Sequence, residues 1–299
     1  MIVVFGSLIA DLLFAVPQLP RAGETAVGRD YVVAAGGKGG NQALAAARDG
    51  ATVAMAGAIG RDGFAAIVLS GLQSAGVDLA HVRAEHAPTG AAAVGVDAQG
   101  NNQIMVAAGA NALARAEQVP DALLGPGNLL LLQMELDRAQ TEALIARARA
   151  RGCRIMLNLA PALPIAETAL GAVDWLLVNE VEAAALARQL RLSDASPSSL
   201  AAAVGVTVIA TYGAQGAVAC EAGQLLRVPA LPVEVVDTTG AGDAFAGVLA
   251  AGLDRGLPIE QALRRAAVAG SLSCTARGAQ GALPERAALD AALARLPAA

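Results

Sequence analysis

Val236-Asp237-Thr238-Thr239-Gly240-Ala241-Gly242-Asp243-Ala244-Phe245 is the stretch on which the reading of this chain turns. A β-branched run, Val233 to Val236, ends there in small residues, and an apolar helical pattern begins immediately behind it. The pattern predicts a strand, a tight glycine-rich turn and a helix N-terminus converging on one point. Backbone N–H groups of Gly240, Ala241 and Gly242 at a helix start suit anionic oxygens. Glycine at 240 and 242 lets the backbone approach a ligand with no Cβ in the way. Asp243 then sets a carboxylate beside that anion nest. It would repel phosphate there unless it has a task, and the fitting task is to take a proton from an attacking hydroxyl. An anion hole plus a base describes phosphoryl transfer to an alcohol. On the motif alone, a plainer reading stands level with it: Asp243 as a helix N-cap after a glycine turn.

On both sides of this stretch, apolar strand-like runs alternate with helical patterns along most of the 299 residues. Expected strands are 2–5, 53–56, 129–133, 154–158, 175–178, 207–210 and 217–220. Expected helices are 41–48, 64–74, 138–150, 181–190, 244–253 and 259–276. Such alternation argues one α/β domain, 1–299, in three layers: a mostly parallel sheet with helices on both faces. Ligands of such sheets sit beyond the carboxyl ends of the strands, and Glu135, Asn158, Asn179 and Thr211 each follow an apolar run. Two stretches, about 9–35 and 88–109, are β-like and turn-like with little helical pattern. The second reads as a hairpin turning at Gln99-Gly100-Asn101-Asn102. Together they predict a small accessory sheet, too small to bury a core alone, that covers a cleft or packs on a partner.

A second glycine cluster, Ala35-Gly36-Gly37-Lys38-Gly39-Gly40-Asn41-Gln42, opens the helix expected from Asn41. It can present backbone and side-chain donors to a polyhydroxyl ligand or a phosphate. Its spacing is not that of a Walker A loop, and neither glycine site fits GxGxxG, which removes the main support for a nicotinamide-type dinucleotide fold. Thr211-Tyr212-Gly213-Ala214-Gln215-Gly216 reads as a hairpin or a nucleotide-phosphate loop. Glu182, in Asn179-Glu180-Val181-Glu182, either stabilises a helix N-terminus or holds magnesium through water.

Composition excludes several classes. Aromatic residues are 2%, the formal net charge is −5, and no basic stripe interleaved with aromatics occurs, which argues against nucleic-acid binding. No apolar run reaches the length of a membrane span. The start of the chain lacks a basic segment ahead of its apolar run, so no signal peptide is expected. Cys153, Cys220 and Cys274 are far apart in apolar surroundings and read as free thiols in a reducing, cytoplasmic setting. His81 and His86 have no partner in metal spacing and read as surface residues near a loop, which leaves little basis for a Ser–His–Asp hydrolase or a zinc site.

Taken together these motifs resemble the ribokinase family of sugar kinases, the PfkB-type carbohydrate kinases. The similarity runs almost end to end. It is carried by Gly6-Ser7 and Asp11, Gly23-Glu24-Thr25, residues 36–42, Ala108-Gly109-Ala110-Asn111, Gln133-Met134-Glu135, Asn158-Leu159-Ala160-Pro161-Ala162, Asn179-Glu180-Val181-Glu182, residues 237–243 and Arg277-Gly278-Ala279-Gln280. The resemblance implies an ATP-dependent kinase acting on the primary hydroxyl of a pentose. D-Ribose is the first expectation, with 2-deoxyribose or a ribonucleoside as alternatives and a catalytically silent sugar sensor as a remote one. It implies Asp243 as base and the N–H groups of Gly240, Ala241 and Gly242 on the transferring phosphoryl group. It also implies Asp11, Gly37, Lys38, Gly39, Asn41, Glu135 and Asp243 around the sugar, and Asn179, Thr211, Gly213, Gly216 and Gly242 around ATP. Glu182 would stand near Mg2+. Asp237 and Thr239 would join Ser273, Ala276 and Gly278 around K+. The accessory sheet would be a lid and, as in relatives, a homodimer interface. Three positions depart from the pattern. Ile9 stands where such kinases usually carry Asn, Ala282 replaces a hydroxyl residue of the cation shell, and Ala267 replaces an adenine-packing His.

Overall fold

The computed structural model describes residues 1–296. The first half runs β1 (Ile2–Phe5), β2 (Ile9–Ala15), β3 (Tyr31–Gly36), α1 (Lys38–Arg48), β4 (Val53–Ile59), α2 (Gly63–Ser74), β5 (Asp78–Ala84), β6 (Gly90–Val96), β7 (Asn102–Ala107), β8 (Leu129–Leu132) and α3 (Arg138–Ala150). Then come β9 (Arg154–Asn158), α4 (Glu167–Leu170), β10 (Trp175–Asn179), α5 (Glu180–Gln189), α6 (Pro197–Val204), β11 (Thr207–Thr211), β12 (Ala217–Glu221) and β13 (Gln224–Val228). Four helices close the chain: α7 (Ala241–Asp254), α8 (Ile259–Ser273), α9 (Ala279–Ala282) and α10 (Arg286–Leu293).

Nine strands form one sheet in the order β13-β12-β11-β10-β9-β8-β1-β4-β5. Pairing is parallel from β11 to β5, and β12 and β13 are antiparallel additions at one edge. Central strands are apolar on both faces because helices cover both. In β1 and β8, Ile2, Val4, Leu129 and Leu131 face the layer holding α1, α7 and α8. Val3, Phe5, Leu130 and Leu132 face the layer holding α3, α5 and α6. The three-layer α/β expectation is met. The edge strands β5 and β13 escaped the sequence reading because exposed polar residues interrupt their apolar pattern. His81 consequently lies in β5, not in a loop.

The two β-like stretches do pair, as a four-stranded sheet β3-β2-β6-β7. The β6–β7 hairpin turns where glycine demands it: Gly100 has φ 82°, and the Asp97 carboxylate accepts the N–H groups of Gln99 and Asn101. The chain enters this sheet at Leu8, between β1 and β2. There the buried Asn111 side chain mimics a strand partner, accepting Leu8 N–H at 3.0 Å and donating to Leu8 C=O at 2.8 Å.

Three local expectations are corrected. Val233–Val236 forms no strand; Val235 and Val236 are exposed, and the N–H groups of Val236 and Asp237 both donate to the Cys274 carbonyl. β-Branched residues favour extended backbone, but without a ladder partner that preference makes no strand. Helix α1 starts at Lys38, three residues earlier than expected, and α7 starts at Ala241. In both, a glycine with positive φ serves as N-cap and the glycines behind it join the helix. Helix α8 stops at Ser273, short of residue 276.

Candidate active site

Helix α7 opens from Gly240, whose φ of 78° lies in the left-handed region. Asp243 is thus the third helical residue and not the N-cap; it makes no capping bond. Its carboxylate, 6% exposed, instead accepts Asn41 Nδ2 on Oδ2 and Gln42 Nε2 on Oδ1, each at 2.9 Å. Those amides come from α1, which reaches α7 because Gly247 has no side chain: a Cβ there would lie 2.4 Å from the Gln42 carbonyl oxygen. Of the three N–H groups expected to hold an anion, that of Ala241 closes the turn onto the Thr238 carbonyl at 3.2 Å. Gly240 and Gly242 line a cavity of about 250 Å³ together with Asp243, Lys38, Asn158, Asn179, Glu182 and Thr211.

Lys38 is the single lysine of the chain; the other twenty of its 21 basic residues are Arg. Burial works against its charge, but Asp243, Glu135 and Glu182 outweigh burial and hold the ammonium protonated more firmly than usual. Glu135 accepts the Lys38 backbone N–H at 2.9 Å and, on the same oxygen, a short bond from the Ser7 hydroxyl. Gly37, with φ 84°, caps α1. Gly39 serves packing: its N–H donates to Ser7 Oγ at 3.3 Å, and a Cβ there would lie 2.5 Å from the backbone of Gly6 and Ser7.

Asp11 reaches the same region from the small sheet. Its carboxylate lies over Gly36, where a Cβ would meet Oδ2 at 2.1 Å. Burial first, then the charges of Glu135 and Asp243, push its pKa from 3.8 to about 6. On the far side, Asn179 and Glu182 form a reciprocal cap at the start of α5. The Asn179 N–H donates to Glu182 Oε2 at 2.8 Å, and the Glu182 N–H donates to Asn179 Oδ1 at 2.9 Å. Burial pushes the Glu182 carboxyl up, against the pull of the Asn179 bond and Lys38. The helix-start reading of Glu182 holds, and the residue also lines the cavity.

Thr211 also lines the cavity, whereas Gly213 and Gly216 lie in the β11–β12 turn, away from its walls. Gly216 is needed there for packing, since a Cβ would come 2.1 Å from the Val228 carbonyl oxygen. Asp237 staples two loops, accepting the N–H groups of Thr239 and Gly278 at 2.9 Å each. Burial opposes its charge, but these bonds hold its carboxyl below the usual range. Ser273 Oγ donates to the Gly270 carbonyl at 2.9 Å, and Ala276 can offer only backbone oxygen.

The chain matches the pfkB family carbohydrate kinase across residues 1–286. It belongs to this family. It is 36% identical to the ribokinase of Bacillus subtilis, over 95% of this chain and 96% of that one. It is 32% identical to the deoxyribokinase of Salmonella typhi, over 95% of each. The structure of Arabidopsis thaliana ribokinase complexed with ribose and ATP superposes with a TM-score of 0.87 at 30% identity, over 98% of each chain.

In this carbohydrate kinase, sequence reasoning gave no role to Gln42, Gln133 or Ser7. Two glutamines in apolar or glycine-rich surroundings carry no period or spacing that marks them, and only the packing of α1 against α7 and the end of β8 shows their contacts. Asp11 offers a pH test. Its folded pKa of about 6 lies above the unfolded value, so ionising it works against the folded state. Stability from this group is fully present below the unfolded value and is lost as pH rises through about 6. Asp11→Asn should therefore stabilise the ligand-free protein at pH 7.5 by on the order of 2–3 kcal/mol and leave its stability at pH 3.5 little changed. Chemical denaturation at the two pH values checks this.

Proposed function

We propose that this carbohydrate kinase transfers the γ-phosphoryl group of ATP to the primary hydroxyl of D-ribose, giving ribose 5-phosphate. One observation carries the reading. Asp243 stands in the first turn of α7, oriented by two amide donors, in one cavity with Gly240, Gly242 and the lone lysine. That arrangement supplies a base, helix-start donors and a fixed cation together. The relatives' names supply the substrates.

In this reading Asp243 takes the proton of the acceptor hydroxyl, while Gly240 and Gly242 present N–H groups to the transferring phosphoryl oxygens. Ala241 contributes mainly by closing the turn. Asp11, Gly37, Lys38, Asn41 and Glu135 hold the sugar; Asn41 Oδ1 is buried without a partner, as an acceptor awaiting a hydroxyl would be. Gly39 acts at one remove, by letting α1 seat against Gly6. Asn179, Thr211 and the 213–216 turn take the nucleotide. Among the described residues no group of three or more His, Cys, Asp or Glu comes together to hold a metal. Mg2+ would accordingly enter on the ATP phosphates, with Glu182 reaching it through water. Asp237 and the backbone oxygens of Thr239, Ala276 and Gly278 suit K+, a cation satisfied by oxygen ligands, which would stiffen the loop before α7. The Ser273 hydroxyl, donating to Gly270, has only lone pairs left to offer.

The test is ATP consumption against D-ribose, 2-deoxy-D-ribose, fructose, 2-keto-3-deoxygluconate, adenosine and inosine, with Mg2+ and with or without K+. Fast turnover on ribose is expected. Turnover on another compound alone would keep the chemistry and replace the substrate, and silence across the panel would overturn the reading. A second substrate, 2-deoxyribose, is favoured by Ile9. It lies two residues from Asp11 on β2, hence on the same face, and is 5% exposed. An apolar residue there offers a sugar hydroxyl nothing. Ile9→Asn should raise the ribose to 2-deoxyribose ratio of kcat/KM by about 10-fold or more; an unchanged ratio would reject this account of position 9.

The small sheet acts as a lid in this reading, and it pairs with that of a second copy. Register places exposed Val32, Ile104 and Val106 on the Asp11 face, so a crossing partner would cover the sugar as well. Sedimentation should show a dimer at micromolar protein; a monomer would refute the pairing. Among the described residues no helix is long and apolar enough to cross a membrane. A cytoplasmic setting agrees with the free thiols and ATP use.

A further inference from the structure

Gln133 has no task in the kinase reading, yet with Gln42, a donor to Asp243, it forms one continuous path to the base. Gln133 follows β8 and is 2% exposed, and Gln42 is fully buried. Gln133 Nε2 donates to Gln42 Oε1 at 2.9 Å, and Gln42 Nε2 donates to Asp243 Oδ1 at 2.9 Å. Packing alone does not ask for this. Burying an amide is unfavourable unless its polar ends are matched, and Gln133 Oε1 is left with no partner. Space is nevertheless kept for it: a Cβ on Gly6 would lie 2.1 Å from that oxygen.

An amide has a donor end and an acceptor end of nearly equal shape, so shape does not decide which end of Gln42 faces the carboxylate. Gln133 reinforces the end chosen by the carboxylate: with its Nε2 on Gln42 Oε1, Gln42 Nε2 is held toward Asp243. Reversed, Gln42 would set oxygen lone pairs against an ionised carboxylate, an arrangement that suits only a protonated Asp243. The second donor on Asp243, Asn41, also meets the sugar in the kinase reading, so Gln42 is the donor whose only neighbours are protein groups.

We infer that Gln133 and Gln42 are a relay that holds a hydrogen-bond donor on Asp243 and leaves its carboxylate aimed as the acceptor of the sugar's proton. Both are positioning residues and touch no substrate. The inference rests on the kinase reading. It predicts that a change at Gln133, one residue removed from the base, acts on turnover and not on sugar affinity. Gln133→Glu is the discriminating variant. It keeps the shape, but the introduced carboxylate, when ionised, can only accept, so it pulls Gln42 Nε2 away and turns Gln42 Oε1 onto Asp243. When protonated, the same carboxyl can donate and restores the native polarity. Gln133→Met removes the donor without imposing the reverse.

The experiment measures kcat and KM for ribose in wild type, Gln133→Glu, Gln133→Met and Gln42→Met from pH 5.5 to 9, below their melting temperatures. The other charged groups acting on Asp243 or beside it, Lys38, Asp11, Glu135 and Glu182, are common to all four proteins. Expected is a kcat loss in Gln133→Glu of roughly 10-fold or more at pH 8, shrinking toward pH 5.5, with KM within about twofold. Gln133→Met should show a smaller loss that does not change with pH, and Gln42→Met one at least as large. Equal, pH-independent losses in both Gln133 variants, or wild-type kcat in both, would overturn the relay while leaving the kinase reading intact. A wild type that phosphorylates nothing would overturn that reading and the relay with it. Should Gln133→Glu fail to fold, the two Met variants decide: wild-type kcat in either overturns the relay.

Discussion

Asp243→Asn is expected to fold, to bind sugar and ATP, and to lose about 10³-fold in kcat, within the range assigned to a positioned general base. The fold survives because the neighbours can adapt. An amide at 243 offers one acceptor and one donor where the carboxylate offered two acceptors, so one of the two incoming N–H groups loses its place. Asn41 can turn over, so that its Oδ1 accepts the new donor and its Nδ2 takes the place facing the sugar, whose hydroxyl can accept as well as donate. Gln42 keeps its bond to the remaining oxygen. What the variant lacks is a group able to take a proton. Calorimetry should therefore return near-native dissociation constants for ligands whose turnover has gone. Near-normal turnover would remove Asp243 from the role of base, and lost binding with the turnover would make it a binding residue first.

Gly39→Ala carries the next largest effect, by a different route. The added Cβ would lie 2.5 Å from the Gly6 carbonyl carbon and the Ser7 nitrogen, a separation only backbone movement can relieve. Helix α1 must then back away from the loop after β1. Lys38, Asn41 and Gln42 ride on the start of that helix, and Glu135 is tied to it through the Lys38 N–H. A shift of about 1 Å is enough to cost on the order of 10²-fold in rate. The expected result is a kcat/KM loss of that size together with a melting temperature several degrees lower. Alanine is the better helix former, so on propensity alone the same change would stabilise by up to about 1 kcal/mol. A higher melting temperature with native activity would show that α1 has room to spare.

Several features were legible in the residues themselves. Alternating apolar runs and helical periods were enough for a parallel sheet covered on both faces. Breaks in that alternation at 9–35 and 88–109 located the small sheet, and glycine clusters followed by helical patterns located both ends of the site. Asp243 was ambiguous in sequence because a short acid after a glycine turn is what an N-cap also looks like. The structure separates the two readings by one turn geometry: Gly240 caps α7, which leaves the Asp243 side chain free to meet α1.

Other features had no local signal. Val233–Val236 has strand composition, but it pairs with no strand, and the Val236 N–H goes to the Cys274 carbonyl, so it stays a loop. Gly39 and Gly216 look like ligand-binding glycines from their neighbours; a backbone packed against each, Gly6 with Ser7 in one case and Val228 in the other, independently requires them. Gln42 and Gln133 are separated by 91 residues, and their bond exists only because α1 lies across the end of β8. The layers, the two glycine-cornered helix starts and the acid that stands in one of them follow from neighbouring residues, because periodicity and turn chemistry are local. Tertiary structure alone decided which glycines make room for backbone, which donors hold Asp243 and how burial with neighbouring charge raises Asp11. Close approach, hydrogen-bond polarity and electrostatic coupling arise between segments far apart in the chain.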